Sequence, residues 1–234
     1  MMTQNNRHIL FFDLDDTLFP EIDFLYSGYR QIAIETSRRK ALDESTAYKI
    51  LIDNTGPAAL DTLFSQQNSN GLSISEMLNI YRTHFPSITL SADVSSTLSR
   101  LSENKNIAAM GIITDGRIIS QTNKINALGL NNYFAPDMIL ISEAIGGDKL
   151  TGIPFRMVED KIGFDTANLW YIGDNISKDF VYPNSRGWIT VMIPPGPTAI
   201  HKNDLKQFPQ NYHPQFTIPS ITQLPTLIET FKRF

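Results

Sequence analysis

Residues 8–19 read His8-Ile9-Leu10-Phe11-Phe12-Asp13-Leu14-Asp15-Asp16-Thr17-Leu18-Phe19. The run 9–12 is short and wholly apolar, which predicts a strand buried on both faces, as a parallel sheet provides. It leads directly into three carboxylates. Placing acids at the end of a buried strand is costly unless they meet water, a metal or a cation. The carboxyl ends of strands in open parallel sheets are also where ligands sit. Asp13 and Asp15 therefore read as a site. A solvated acidic turn is the plainer alternative, and the Asp-x-Asp spacing alone does not exclude it.

C-terminal to this stretch the pattern turns helical. Apolar residues recur at helical spacing over 21–39, among them Phe24, Leu25, Tyr29, Ile32 and Ala33. A second helix is expected from Asp43 as cap to the break at Asn54-Thr55-Gly56-Pro57, and a third over 58–66. A fourth starts with Ser73 and Glu76, a capping box, and ends before Pro86. Successive helices with no strand between them predict a small bundle whose apolar stripes form its own core.

Alternation of strand and helix then returns. A helix is expected over 92–104, a strand over 107–114 ending in Thr114-Asp115-Gly116, and a helix over 120–128 closed by Gly129. A strand over 138–142, a helix over 154–162 and a strand over 169–172 ending in Gly173-Asp174-Asn175 follow, then a short helix and a strand over 188–193. This is the signature of an α/β fold with a doubly wound parallel sheet. The bundle is inserted after the first strand, so the core domain comprises 1–19 and 92–234 and the insert 20–91. Residues 194–215 hold five prolines and little periodicity, and are expected to form a mobile surface loop with His201 and His213 solvated. An edge strand over 216–219 and a helix over 224–231 close the chain.

Composition narrows the function. The 234 residues carry a formal net charge of -4, which argues against a nucleic acid polymer as partner. Hydrophobic residues make up 41% and charged residues 19%, the balance of a folded rather than a disordered chain. Cysteine is absent, so disulfides, thiolate metal sites and a cysteine nucleophile are excluded. No apolar run approaches the ~18 residues a membrane span needs. The polar start, 1–7, is expected to carry no secretory signal, and a cytoplasmic location follows as the expectation.

Polar residues stand at the carboxyl ends of several strands: Asp13 and Asp15, Thr114 and Asp115, Asp174 with Asp179 beyond it, and Lys149 in the loop after Ser142. Such loops share one edge of a parallel sheet, so these residues can converge. Asp13, Asp15 and Asp174 would form an all-oxygen cluster suited to Mg²⁺. Lys149 would neutralise excess negative charge, and Thr114 would hydrogen-bond an anion. A metal, an ammonium and several amides around a carboxylate make a phosphate site.

These motifs resemble the haloacid dehalogenase-like (HAD) hydrolase superfamily. They are Asp-Leu-Asp-Asp-Thr-Leu at 13–18, Ile-Ile-Thr-Asp-Gly at 112–116, Gly-Asp-Lys at 147–149 and Tyr-Ile-Gly-Asp-Asn-Ile-Ser-Lys-Asp at 171–179. The insert resembles the superfamily's α-helical cap domain on a Rossmann-like core. The run from Gln121-Thr122-Asn123-Lys124-Ile125 to Leu128-Gly129-Leu130 resembles phosphatase and nucleotidase members with such caps. One departure is Leu150-Thr151-Gly152 after Lys149, where many relatives have Pro-x-Pro.

The resemblance implies a Mg²⁺-dependent phosphatase of a small phosphorylated metabolite, a sugar phosphate or a nucleotide. Asp13 would be the nucleophile and Asp15 the acid/base. Mg²⁺ would be held by Asp13, Asp174 and the backbone carbonyl of Asp15. Lys149 and Thr114 would hold phosphoryl oxygens, and Asp115 would offer its backbone amide. Asp16 would cap the turn. Asp179 either orients Lys149 or a metal-bound water, or is a surface acid at a helix end. Two other readings stay open: a phosphoglucomutase-like transferase, and a non-enzymatic protein that keeps the fold. A dehalogenase is disfavoured, because those members lack the second aspartate of the first motif.

Overall fold

A computed structural model describes residues 7–163, 167–200 and 205–231. Strand β1, His8–Phe12, is buried along its whole length. It lies inside a six-stranded sheet of order β3-β2-β1-β4-β5-β6, in which every pairing is parallel. The other strands are β2 (Ile107–Thr114), β3 (Ile139–Ile141), β4 (Asn168–Gly173), β5 (Ile189–Met192) and β6 (Phe216–Thr217). Side chains alternate across a strand, and β1 divides accordingly. Leu10 and Phe12 enter one apolar cluster with Ile112, Trp170 and Ile172. Ile9 and Phe11 enter another with Phe155, Tyr171 and Trp188. Both faces are covered by helices, as a wholly apolar strand requires.

Four helices follow β1: α1 (Glu21–Arg38), α2 (Glu44–Asp53), α3 (Ala59–Gln66) and α4 (Ile74–Thr83). They enclose a core of their own, built from Tyr29, Ile32, Ala33, Ala47, Leu51, Leu63 and Met77. This is the helical cap on the α/β core. The expected caps are in place. Asp43 accepts the Thr46 N–H at 3.0 Å, and Ser73 with Glu76 forms a reciprocal capping box. Asp16 takes a left-handed backbone (φ 53°) and accepts the Glu21 N–H at 2.9 Å, so it caps α1 from beyond the proline.

The core helices are α5 (Ala92–Glu103), α6 (Ile118–Ala127), α7 (Ser142–Ile145), α8 (Ile153–Ile162), α9 (Val181–Ser185) and α10 (Leu224–Thr230). Helix α6 starts two residues earlier than its periodicity suggests, because the Glu143 carboxylate accepts the Ile118 N–H at 2.7 Å. Sequence order runs β1, β2, β3 outward, then returns to place β4 on the other side of β1. That reversal opens a crevice at the carboxyl ends of β1 and β4, where ligands bind in such sheets.

The proline-rich segment differs from the featureless loop expected. Its later part forms 3₁₀ turns at Leu205–Gln207 and Gln210–Tyr212. The Asn184 side-chain amide ties it down, donating to the carbonyls of Asn211 (3.0 Å) and His213 (2.8 Å). His213 is half-buried and its Nε2 meets the Phe208 carbonyl at 2.9 Å, so it is not simply solvated. Periodicity cannot detect order held by side-chain bonds to backbone. His201 lies outside the described residues.

Candidate active site

Asp13 is the first residue beyond β1. Its N–H still donates to the Ile172 carbonyl (2.8 Å), which continues the sheet ladder by one bond. The side chain is thus delivered to the crevice between β1 and β4, and Asp13 is 4% exposed. Its Oδ1 accepts the Leu14 N–H at 2.7 Å, and its Oδ2 meets Lys149 Nζ at 2.5 Å. Lys149 is fully buried and bridges to Asp179 Oδ1 at 2.8 Å. Burial alone would lower the ammonium's pKa, but the carboxylates of Asp13, Asp179 and Asp115 outweigh it and raise it.

The two sequence-level alternatives for Asp179 are thereby resolved in part. It is no surface acid: it is fully buried and bonded to Lys149. Its second oxygen accepts the N–H groups of Asp174 (3.1 Å) and Asn175 (2.8 Å). Gly173 makes this approach possible, since a methyl group there would overlap the Asp179 carboxylate. Asp174, at the end of β4, is buried and accepts a long bond from Thr17 Oγ1 at 3.3 Å.

Carboxylate oxygens of Asp13, Asp174 and Asp179 lie within 4.8 Å of one another. Lys149 is the cation paired within this triad, so the group carries surplus negative charge. Burial, then the Asp179 and Asp13 carboxylates, push Asp174 up to about 9. A divalent cation would relieve that strain, and an all-oxygen set suits a hard ion. The triad fits a metal.

Thr114 closes β2 and is 1% exposed, its Oγ1 bonded to Gln121 Nε2 at 2.6 Å. Asp115 faces elsewhere. Its Oδ1 accepts the Lys149 N–H at 3.2 Å and its Oδ2 pairs with Lys178 at 3.4 Å, so the side chain ties three loops together. Asp148 caps the turn that carries Lys149 by accepting the Thr151 N–H at 2.9 Å.

Asp15 does not join the triad. Its carboxylate turns toward α6, where Lys124 Nζ meets both oxygens at 2.7 and 2.9 Å and Gln121 Nε2 donates at 3.0 Å. Both α6 residues lie in the run 121–130 quoted for its resemblance, which assigned neither of them a role. The fold inverts the pattern that α6 would show as a surface helix. Ile118 and Ile119 are each 45% exposed on α6, whereas Gln121 and Lys124 are buried. The cap completes this corner. Phe24 of α1 lies 4.3 Å from the Lys124 ammonium. Burial and the nearby Asp15 carboxylate push Glu21 up to about 7.

With this geometry in place, comparison with known proteins identifies the class. Residues 10–185 match the family model of haloacid dehalogenase-like hydrolases, and the chain belongs to that family. Glyceraldehyde 3-phosphate phosphatase of Methanocaldococcus jannaschii is 25% identical over 96% of this chain and 98% of its own. The pyrimidine 5'-nucleotidase YjjG of Escherichia coli is 25% identical over 94% and 96%. Among solved structures, the magnesium-bound HAD hydrolase YfnB of Bacillus subtilis superposes with a TM-score of 0.61 at 17% identity, covering 95% of this chain and 98% of that one. L-2-haloacid dehalogenase of Xanthobacter autotrophicus gives 0.59 at 14% identity, covering 96% and 99%. These structures share the fold. No helix among the described residues is long and apolar enough to cross a membrane.

Proposed function

We propose that the chain is a Mg²⁺-dependent phosphatase of a small phosphomonoester, with Asp13 as nucleophile. One observation carries the reading: Asp13, Lys149 and Asp174 come from separate loops beyond the strands and converge, buried, on one crevice, with Thr114 linked to Asp15 through Gln121. In this reading a carboxylate oxygen of Asp13 attacks phosphorus and forms an aspartyl-phosphate. Asp15 gives its proton to the departing alkoxide, then takes one from the water that hydrolyses the acyl phosphate. Lys149, steered by Asp179, and Thr114 bind phosphoryl oxygens. Asp115 positions Lys149 through its side chain, with its backbone amide left for phosphate. The carboxylates of Asp13 and Asp174 and the backbone carbonyl of Asp15 would hold the ion. Bound there, Mg²⁺ offsets the repulsion between the attacking carboxylate and the anionic phosphate.

The curated relatives act on a triose phosphate and on pyrimidine nucleotides. They support a small phosphorylated metabolite as substrate. Asp13 and Lys149 are almost inaccessible, so substrate entry needs the cap, 20–91, to lift from the core, 1–19 and 92–234. The test is phosphate release from a panel including glyceraldehyde 3-phosphate and nucleoside monophosphates with Mg²⁺ present. Release from at least one compound, lost in Asp13→Asn, is expected. Release undiminished by Asp13→Asn would end the reading. Interconversion of a sugar phosphate with little net release would favour the mutase instead.

A further inference from the structure

Helix α1 opens the cap, and Glu21, Phe24 and Gly28 recur along it at the spacing of one helix face. Gly28 is buried, and a Cβ there would lie 2.5 Å from the Tyr81 ring and 3.2 Å from His84. Its bare backbone lets the end of α4 press onto that face. The Phe24 ring meets Tyr81 edge-on with centroids 5.3 Å apart, and His84 with centroids 4.7 Å apart. Phe24 also lies over the Lys124 ammonium, so the same face looks onto the core.

Glu21 holds the end of this face nearest the nucleophile. Its N–H is fixed by Asp16 at 2.9 Å, and the residue is half-buried. The charges that act on its carboxyl come from three core segments: Asp15 and Asp16 beyond β1, Lys124 on α6 and Lys178 beyond β4. The carboxyl therefore stands over the crevice. The ammonium groups around it are already matched: Lys124 to Asp15, Lys178 to Asp115, and Lys149 to Asp13 and Asp179. The α1 face adds an acid to this balance and no base.

His84 asks for the same kind of partner. Its Nδ1 lies 2.7 Å from the Tyr81 carbonyl, which can only accept, so that nitrogen carries the hydrogen. Burial lowers the imidazole's pKa, so the ring is neutral. Nε2 is then a buried acceptor with no hydrogen-bond partner among the described residues, a state that native structures seldom leave unexplained. The Tyr81 phenol belongs to the same corner: burial, then Glu21 and Asp15, push its pKa up. Acceptors set beside aromatic rings suit an uncharged molecule rich in hydroxyl groups.

We infer that Glu21 is a specificity-determining residue: it accepts hydroxyl groups of the substrate's alcohol half and repels an alcohol half that carries a carboxylate or a second phosphate. The inference rests on the phosphatase reading and narrows its substrate to the monophosphate of an uncharged sugar or polyol. His84 Nε2 offers a second acceptor to the same molecule.

The experiment uses two esters of matched shape, glycerol 3-phosphate and 3-phosphoglycerate, which differ by a hydroxymethyl group in place of a carboxylate. The reference is p-nitrophenyl phosphate, whose leaving group has no further hydroxyl. kcat/KM is measured with Mg²⁺ at pH 8.5, above the value of about 7 to which burial and Asp15 push Glu21. The wild-type chain is expected to favour glycerol 3-phosphate over 3-phosphoglycerate by at least about tenfold. Glu21→Gln should shrink that ratio by about tenfold, the worth of one hydrogen bond to a charged group, and should lose less on the aryl ester than on glycerol 3-phosphate. Glu21→Asp keeps the charge and should retain most of the ratio.

A wild-type chain that treats the matched pair alike or favours 3-phosphoglycerate would overturn the inference. So would a ratio lost as fully in Glu21→Asp as in Glu21→Gln, or cleavage of the aryl ester with neither of the pair cleaved. If Glu21→Gln fails to fold, Glu21→Ala carries the same comparison; loss of folding in both makes the residue structural and also overturns it. A wild-type chain that cleaves none of the three esters removes the phosphatase reading, and this inference with it. Activity that needs Asp13 but shows a ratio unmoved by Glu21→Gln removes this inference alone.

Discussion

Asp15 carries the sharpest chemical test, because its carboxylate is set apart from the acidic triad and held by Lys124 and Gln121. Asp15→Asn keeps size and backbone carbonyl but cannot shuttle a proton. With p-nitrophenyl phosphate, which leaves unprotonated, the variant should give a burst of p-nitrophenol. Turnover should then fall by ~10²–10⁴, as hydrolysis of the acyl phosphate loses its base. Asp13→Asn should give no burst. Wild-type turnover in Asp15→Asn would remove the residue from the mechanism. Asp13 and Asp174 were legible as candidates because each follows an apolar run that predicts a strand, Thr114 because it ends one, and Lys149 because it lies in the Gly-Asp-Lys stretch of the loop beyond a strand. Lys124 and Gln121 were not, since polar residues on a helix ordinarily mark its solvated side. Their burial follows from what α6 packs against, and periodicity carries no such information. Asp179 was ambiguous for the same reason, lying past the strand on a turn whose direction the sequence leaves open.

Helices α4 and α6 meet through bonds from side chains to terminal carbonyls. Ser120→Ala with Asn123→Ala removes them. Each such bond contributes about 0.5–1.5 kcal/mol net, so a modest fall in Tm is expected. Amide exchange in the last turn of α4 should quicken, while exchange in β1 and β4 stays slow. Unaltered exchange at α4 would mean that α6 does not hold the cap. Ser73→Ala provides a contrast at the other end of α4. It breaks the capping box at a cost of about 1 kcal/mol without touching α6 or Glu21, so it should lower stability and leave ester selectivity intact. These elements were foreseeable to within a few residues because caps and apolar spacing are local signals. The short α7 and the 3₁₀ turns after 204 were missed, being stabilised by distant partners.

The balance of charge in the crevice links metal, pH and stability. Asp174 is pushed up to about 9 in the folded chain from 3.8, so the folded state binds more protons than the unfolded one between those values. Metal-free stability should therefore fall as pH rises through that window. Asp179, also raised by burial, acts in the same direction. Mg²⁺ needs the ionised form, so the gain in Tm on adding it should be larger at pH 8.5 than at pH 6, with Tm measured in chelator and in excess Mg²⁺. An identical gain at both values would show that Asp174 is not a ligand of the ion. Ca²⁺ should stabilise the fold yet support less turnover, because its looser, higher coordination occupies the oxygen that Asp13 needs for attack.

The central place of β1 has a consequence for how the chain is made. β1 precedes both of its neighbours in the chain: β2 begins only at Ile107 and β4 only at Asn168. The cap is different: the cluster that forms its own core lies within 25–81, so it can close on itself while the rest is still emerging. A nascent chain thus carries a finished helical bundle tethered to an unpaired His-Ile-Leu-Phe-Phe segment, the kind of uncharged apolar stretch that nucleates aggregation. The carboxylates at 13, 15 and 16 that make the active site also flank that segment, and until β4 arrives they serve as its gatekeepers against self-association. Fragments ending at residue 163 should show cap helicity by circular dichroism and remain dispersed, and replacing Asp15 and Asp16 with asparagine should drive them into aggregates.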